Sequence, residues 1–304
     1  MPDAPAPIII LGTGRSFTSV TSCMIGQHPD MIGLPETNIF RNPTLGELFS
    51  QNGKLMARRG TKVLRSGLLR TLAHFHDGEQ TDEAIDAAER FVFAHENWTS
   101  RELAAYIAKL AAPRGIVEKS ISTCRDRSTV ARVLEAWPNA LFLHITRQPE
   151  SIISSMRSRI ESAKESHRRR LERNQQIHSL DEYFTHLTTT ILEFMATLPP
   201  GRGMNLHGEH FLTDARLYAR QICEWAGLDA SDAAIESMMH PENNPFAFVG
   251  PEKAPWGLSN TFLEDPHFSG KPVAVKPLTI QAGDPALDTE RRVLVLLGNR
   301  LGYA

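Results

Sequence analysis

The sequence predicts an α/β fold in which a parallel sheet is flanked by helices. The first indication is residues 8–11, an apolar, mostly β-branched run that leads through a glycine turn into a segment able to form a helix. The second is residues 140–145, an apolar strand before a helix that Pro149 can open at its first turn. Strands that alternate with helical patterns are typical of βαβ units, whose strands run parallel.

Length and composition predict one domain over residues 1–304 and exclude several classes of protein. The chain is 41% hydrophobic, which is enough for a sizeable core, and it contains no internal repeat and no convincing linker. The formal charge of −2 does not indicate a nucleic-acid or membrane-surface binder. The three cysteines are too far apart in sequence for a metal site or a disulfide framework.

The sequence also predicts where the protein resides. No apolar run approaches the roughly 20 residues that a bilayer-spanning helix needs. The first residues lack the basic region of a signal peptide. We therefore expect a cytoplasmic protein without a membrane span, and the sequence makes no prediction of its oligomeric state.

Two longer segments are expected to surround the sheet. Residues 44–112 have a helical pattern and are expected to form a helical insertion over the upper edge of the sheet. Residues 240–287 are rich in proline, glycine and asparagine with scattered aromatic residues, which predicts a lid or binding loop. A long polar helix is expected over residues 150–176. Further short strands are expected at 31–34, 115–119 and 204–206.

The turn after the first strand predicts an anion-binding site. It reads Gly12-Thr13-Gly14-Arg15-Ser16-Phe17-Thr18-Ser19. A strand, a tight loop and a helix N-terminus together direct backbone N–H groups and the helix dipole at an anion, and the hydroxyls add further donors. The nucleotide-binding loop G-x-x-x-x-G-K-[ST] is not present, because Phe17 and Thr18 stand where the second glycine and the lysine belong. An ATP or GTP site is therefore disfavoured, and the cation Arg15 suits a nucleotide with one modified 5′-phosphate.

A second anion-binding motif follows the strand at residues 140–145. Arg147 stands at the C-terminal end of this strand, and Ser155 lies one to two turns into the following helix. Ligands of open α/β sheets bind at the carboxyl ends of the strands. Arg147 and Ser155 are therefore expected to converge on one more phosphate, at the same edge as the first loop.

These two motifs resemble those of sulfotransferases that use 3′-phosphoadenosine 5′-phosphosulfate (PAPS). The first motif of that family is commonly [RK]-S-G-T-T, here Arg15 to Ser19, with His-Pro-Asp following at residues 28–30. The second is an arginine after an apolar strand with a serine eight residues later. The likeness is closest to the tyrosylprotein-type and bacterial branches, and it implies a P-loop-like sulfotransferase fold. It covers residues 8–40 and 114–160.

The resemblance implies a role for each matched residue. Glu36 is implied as the catalytic base, and Arg15 and Lys119 as the cations at the transferring group. Arg147 and Ser155 are implied to bind the 3′-phosphate. The implied 5′-phosphosulfate loop consists of Gly14, Arg15, Ser16, Phe17, Thr18 and Ser19. PAPS is then the co-substrate, a small-molecule or glycoconjugate hydroxyl is the acceptor, and no metal is required.

Two departures from the family pattern leave alternatives open. Phe17 replaces the loop glycine, and the family's Tyr-Glu-x-Leu segment corresponds here to residues 208–212, without the tyrosine. His74 and His76 are the alternative candidates for the base. A small-molecule kinase on the same kind of sheet is the alternative enzyme, and a nucleotide-binding module without chemistry is the alternative from another class.

Overall fold

A five-stranded parallel sheet forms the centre of the fold. The computed structural model describes residues 4–51, 54–55, 62–161, 180–275 and 289–303. The strand order is β2-β5-β1-β6-β7, and every pairing in this sheet is parallel. Its strands are β1 (Ile8–Leu11), β2 (Met31–Gly33), β5 (Gly115–Glu118), β6 (Leu141–Thr146) and β7 (Gly203–His207). The predicted parallel α/β architecture is confirmed.

Helices cover both faces of the sheet. After β1 comes α1 (Thr18–Ile25), and the helices that follow the insertion are α6 (Arg127–Ala136), α7 (Pro149–Glu161), α8 (Leu180–Met195), α9 (Gly208–Thr213), α10 (Ala215–Ala226), α11 (Asp232–Met238), α12 (Asn260–Glu264) and α13 (Thr289–Arg300). Strand β1 is buried on both sides, because Ile9 and Leu11 join one apolar cluster while Ile8 and Ile10 join the other. A central strand between two helical layers needs apolar residues at every position, which explains the unbroken apolar run.

The helical insertion is present, with one feature that the sequence did not predict. Its helices are α2 (Leu45–Phe49), α3 (Lys62–Asp77), α4 (Asp82–Ala94) and α5 (Ser100–Ala111). Between α2 and α3 the chain forms a short antiparallel hairpin of β3 (Ser50–Gln51) and β4 (Lys54–Leu55). Threonine side chains cap three of these helices, and Thr99 completes a capping box with Glu102.

Residues 240–275, which we call the covering segment, pack against the insertion. Phe246 and Ala254 are fully buried in the apolar cluster that also contains Leu68 and Leu72 of α3. The buried guanidinium of Arg70 donates from Nη1 to the carbonyl of Trp256 at 3.3 Å and from Nη2 to that of Phe246 at 3.2 Å. Burial lowers the pKa of Arg70 to about 10. The covering segment is therefore tied to the insertion by apolar packing and by one buried cation.

Some of the sequence predictions fall only partly on the described residues. Helix α7 accounts for 149–161 of the long polar helix expected at 150–176, and its remainder lies outside the described residues. Residues 276–287 of the expected lid also lie outside them. Among the helices that the structure describes, none combines the length and the apolar character that crossing a bilayer would require.

Candidate functional site

The loop between β1 and α1 has an unusual backbone. Arg15 and Phe17 have φ angles of 72° and 61°, in the left-handed region that favours glycine. Such a conformation costs a residue with a side chain about 1–3 kcal/mol, so it persists only where surrounding contacts enforce it. Phe17 is the residue immediately before α1, and no side chain caps this helix. The alternating backbone forms a tight concave turn of the kind that binds anions at the start of a helix.

The guanidinium of Arg15 is held by three hydroxyl groups. Its Nε donates to Ser155 of α7 at 2.9 Å, and its Nη1 donates to Ser259 of the covering segment at 3.0 Å. Its Nη2 lies 3.4 Å from the hydroxyl of Thr261 in α12. Ser155 therefore contacts Arg15 in this structure. Arg15 therefore connects the first loop to α7 and to the covering segment, both of which lie far from it in the chain.

Arg147 reaches the same loop from the end of β6. Because β1 pairs with β6 in register from Ile8 with Leu141 onward, the residues after the two strands lie at one edge of the sheet. Nη1 of Arg147 donates to the carbonyl of Arg15 at 2.9 Å, and its guanidinium carbon lies 4.6 Å from the centre of the Phe17 ring. Burial lowers the pKa of Arg147, and the nearby charge of Glu209 opposes this effect.

Both arginines line one cavity of about 230 Å³. The cavity is bounded by the first loop, by Arg147 and by the covering segment. Its lining residues are Arg15, Phe17, Thr18, Ser19, Val20, Arg147, Ser259, Thr261 and Phe262. The two cations therefore face a common space at the carboxyl edge of the sheet, where α/β proteins bind their ligands.

The hydroxyl groups of the first loop are buried and oriented. Ser16 pairs with Thr13 at 2.8 Å, and the hydroxyl of Ser19 accepts a hydrogen bond from the backbone N–H of Ser259 at 3.0 Å. Gly14 has little room beside it, because a Cβ atom there would lie 3.3 Å from Cε of Met156. The loop is thus fixed against both α7 and the covering segment.

Glu36 and Lys119 form an ion pair between the segments that follow the neighbouring strands β2 and β5. Nζ of Lys119 donates to Oε1 of Glu36. Lys119 is almost fully buried, whereas 24% of the Glu36 side chain is exposed. Oε2 of Glu36 has no hydrogen-bond partner in the described part of the chain, so this oxygen is available to accept a proton.

A buried polar network supports this ion pair. Glu118 is fully buried and accepts hydrogen bonds from the hydroxyl of Thr37 at 2.9 Å and from the hydroxyl of Ser120. Burial raises the pKa of Glu118, and these hydrogen bonds oppose the rise. Asn38 has a positive φ of 55°, and its side-chain amide donates to the carbonyl of Glu36 at 3.1 Å. The network joins the segment after β2 to the segment after β5, and so holds Glu36 against Lys119.

The two alternative bases, His74 and His76, lie in helix α3 of the insertion. His74 packs against Phe75 and Phe246, and burial lowers its pKa. Nε2 of His76 lies 2.9 Å from the hydroxyl of Tyr106. Among the contacts of the described residues, neither histidine touches the first loop or Arg147.

Several residues of the site carry no motif in the sequence. Ser259, Thr261 and Phe262 line the cavity but belong to a segment without helical or strand periodicity. Glu209 is buried beside the end of β6, where Oε1 accepts from the backbone N–H of Gln148 at 2.9 Å and Oε2 accepts from the hydroxyl of Tyr303 at 2.9 Å. In the sequence, the two hydroxyl residues Ser259 and Thr261 were the only signal that could have indicated the part of the cavity wall formed by the covering segment.

Comparison with known proteins identifies the fold and the family. The structure is similar to a sulfotransferase domain from the curacin biosynthetic pathway, with a TM-score of 0.76 and 19% identity over 99% of both chains. It is also similar to a sulfotransferase domain from the olefin synthase of Synechococcus PCC 7002, with a TM-score of 0.73 and 21% identity over 99% of this chain and 96% of that one. A search among curated proteins finds no match.

These likenesses show the fold, which is that of sulfotransferase domains. The family follows from sequence, because the profile of the sulfotransferase family matches residues 7–232, well over half of the chain. The resemblance seen in the sequence motifs is thereby confirmed. With its loop, its two arginines and its match over most of its length, the chain belongs to the sulfotransferase family.

Proposed function

We propose that the protein transfers a sulfuryl group from PAPS to a hydroxyl acceptor by in-line displacement. The observation that carries this proposal is the shared cavity of Arg15 and Arg147, which lie 132 residues apart in the chain. PAPS carries anionic groups at its 5′ and 3′ positions. Two guanidinium groups in one cleft suit such a ligand, because each can donate paired hydrogen bonds to phosphate oxygens.

In this proposal the first loop binds the 5′-phosphosulfate. Gly14, Ser16, Phe17, Thr18 and Ser19 form the loop around the anion, and its hydroxyls and backbone N–H groups donate to the oxygens. The hydroxyl partners of Arg15 support this role, since ligand oxygens can replace neutral hydroxyls as acceptors at little cost.

Arg147 and Ser155 bind the 3′-phosphate in this proposal, although in the structure Ser155 accepts a hydrogen bond from Nε of Arg15 at 2.9 Å. Ser155 donates to the nucleotide from α7 once Arg15 has turned to the sulfate. Two aromatic residues, Phe17 and Phe262, line the cavity. The Phe17 ring already contacts Arg147. We therefore assign Phe262 to the adenine ring, since a flat ring offers a large apolar contact area.

The transfer step follows from the ion pair and the loop cation. The acceptor oxygen attacks sulfur, Glu36 takes the hydroxyl proton, and the bond between sulfur and the bridging oxygen breaks to release adenosine 3′,5′-bisphosphate. Arg15 and Lys119 stabilise the charge that develops on the bridging oxygen. A positioned base typically contributes about 100- to 10,000-fold, and one preorganised charged donor about 100- to 1,000-fold. Because these cations are side chains, we propose a reaction that needs no metal.

Ligand binding tests the proposal against its alternatives. The family match favours sulfuryl transfer over the small-molecule kinase. We expect adenosine 3′,5′-bisphosphate to raise the melting temperature in the presence of EDTA, since a ligand at 100 times its Kd adds about 2.7 kcal/mol to the stability of the folded state. Stabilisation by ATP only with Mg²⁺ would support the kinase instead.

Turnover tests the chemical part of the proposal. Release of adenosine 3′,5′-bisphosphate from PAPS is measured across a panel of hydroxyl acceptors that includes sugars, glycoconjugates, phenols and hydroxy acids. The two similar structures are domains of biosynthetic systems, so the panel includes hydroxylated biosynthetic products. Binding of the bisphosphate without release for any acceptor would favour the non-catalytic module.

A further inference from the structure

We propose that Phe17 and Gly208 form a matched pair that orients Arg147 and so determines the preference for a 3′-phosphorylated nucleotide. This inference rests on the proposed function, in which Arg147 binds the 3′-phosphate. It concerns the two positions at which the sequence departs from the family motifs. The structure brings these two departures into contact with each other.

The Phe17 ring occupies space that exists only because residue 208 is a glycine. A Cβ atom at Gly208 would lie 2.5 Å from Cδ2 of Phe17, closer than side-chain atoms approach. The backbone of Gly208 does not itself call for glycine, because its φ is not in the left-handed region. The glycine is therefore explained mainly by the neighbouring ring, and in part by the carbonyl oxygen of Thr146, from which a Cβ atom would lie 3.1 Å.

The Phe17 ring also contacts the cation of Arg147. The guanidinium carbon lies 4.6 Å from the ring centre, a distance at which a cation is attracted to an aromatic face. The first loop contacts the same guanidinium a second time, through the carbonyl of Arg15 at 2.9 Å. A planar cation held by a ring face and by one carbonyl is fixed in both position and tilt.

These two contacts fix Arg147 without neutralising it. Within the described residues, no carboxylate forms an ion pair with Arg147, and both oxygens of the nearby Glu209 already accept hydrogen bonds from Gln148 and Tyr303. The nearby charge of Glu209 favours the charged form of Arg147 without a direct ion pair. Arg147 therefore presents a positive charge to an anion in the cavity that it lines together with Phe17. Charge-assisted bonds from a guanidinium depend strongly on orientation, so the tilt set by the ring bears on affinity for a phosphate.

The pair also explains why a bulky residue is retained at a position that suits glycine. Glycine would adopt the φ of 61° without steric cost. If Phe17 served only to shape the loop, the replacement Phe17→Gly would preserve or improve it. If Phe17 orients Arg147, the same replacement weakens recognition of the 3′-phosphate specifically.

The test compares two ligands that differ only in the 3′-phosphate. Calorimetry measures Kd for adenosine 3′,5′-bisphosphate and for adenosine 5′-monophosphate with the whole protein. We expect the original protein to prefer the bisphosphate. Phe17→Gly should reduce this preference, the ratio of the two Kd values, at least tenfold. Any effect of the replacement on the 5′-phosphate loop acts on both ligands and cancels in this ratio. The melting temperature without ligand is recorded for each variant to separate binding from folding.

A double-mutant cycle isolates the contact between the two positions. Gly208→Ala alone should reduce the preference as Phe17→Gly does, because the new methyl group displaces the ring. In the Phe17→Gly background, Gly208→Ala should change the preference much less than it does in the original protein, because the ring is no longer there to be displaced. Additive effects of the two replacements would contradict a pair that acts through the ring.

A matched control and a reference variant make the outcomes distinct. Phe248 also lies under a guanidinium, that of Arg70 at 4.7 Å, but outside the cavity, so Phe248→Gly should leave the preference unchanged. If Arg147→Ala abolishes the preference and Phe17→Gly preserves it, the inference is wrong and the proposed function stands. If the original protein shows no preference, or Arg147→Ala leaves it intact, the assignment of Arg147 is wrong and the inference falls with it.

Discussion

The two arginines of the cavity are held in opposite ways. Arg15 is held by hydroxyls of Ser155, Ser259 and Thr261, which lie at least 140 residues away in the chain. Arg147 is held by the loop itself, through a backbone carbonyl and the Phe17 ring. Hydroxyls exchange readily for ligand oxygens, whereas the ring and the carbonyl remain in place. Under the proposed function, this difference predicts that the Arg15 end rearranges when PAPS binds and that the Arg147 end is formed beforehand.

The largest effect is expected at the proposed base, Glu36. Glu36→Gln keeps the shape of the side chain but cannot accept the acceptor's proton. We expect kcat to fall about 100- to 10,000-fold, measured by release of adenosine 3′,5′-bisphosphate from PAPS, with Kd for that product changed little. A kcat within threefold of the original would exclude Glu36 as the base, and the His74→Gln and His76→Gln variants would then be measured in the same assay.

Replacing each arginine in turn tests the comparison directly. Arg15→Ala should lower kcat about 100- to 1,000-fold at saturating PAPS, because the developing charge on the bridging oxygen loses a fixed donor. Arg147→Ala should instead raise KM for PAPS and leave kcat at saturation nearly unchanged, because its contact is equal in the ground and transition states. If both variants lost kcat equally, the two arginines would not have the separate roles in transfer and in binding that we propose.

The hydroxyl partners of Arg15 should give smaller effects. Ser259→Ala and Ser155→Ala each remove one hydrogen bond, worth about 1 kcal/mol or roughly fivefold. We expect Ser155→Ala to weaken binding of the bisphosphate, measured by calorimetry, because Ser155 contacts the nucleotide after Arg15 has moved. If neither replacement changes kcat or Kd, the hydroxyls only fill space around Arg15 and the proposed rearrangement is wrong.

His144 is expected to make the stability of the folded protein depend on pH. His144 lines a small cavity with Thr13, Ser16 and Arg147, and its pKa is lowered to about 4, chiefly by burial and against a hydrogen bond to Asn205. A histidine whose folded pKa is depressed contributes stability that is complete above the unfolded value near 6.5 and is lost as the pH falls towards 4.

Urea unfolding across this pH range measures the contribution of His144. We expect the free energy of unfolding to fall by up to about 3 kcal/mol between about pH 7 and pH 4, and the fall to be smaller in His144→Gln. The same pH dependence in both proteins would show that other groups are responsible.

The sequence predicted the sheet and the arginines because both depend on local patterns. Strand β1, its glycine turn and the position of Arg147 after β6 follow from apolar runs and from the geometry of parallel sheets. The family motifs implied a role for Glu36 and for Lys119 separately, and the ion pair between them is seen only in the structure. Their proposed roles in catalysis remain predictions until the variants are measured.

The features that the sequence did not predict depend on contacts between distant segments. Ser259 and Thr261 meet Arg15 only because the covering segment folds back over the first loop, and the segment has no periodicity to indicate this. From the sequence alone, Phe17 is only a departure from the loop motif, because its contact with Gly208 is visible only in the structure. The β3–β4 hairpin is two residues per strand, too short for an alternating pattern.

The buried Arg70 has a consequence for how the molecule opens. Its guanidinium joins α3 to the carbonyls of Phe246 and Trp256, so the covering segment cannot lift from the insertion without breaking both hydrogen bonds and the apolar packing around them. Amide hydrogens in α3 and in residues 246–256 are therefore expected to exchange with solvent as one cooperative unit.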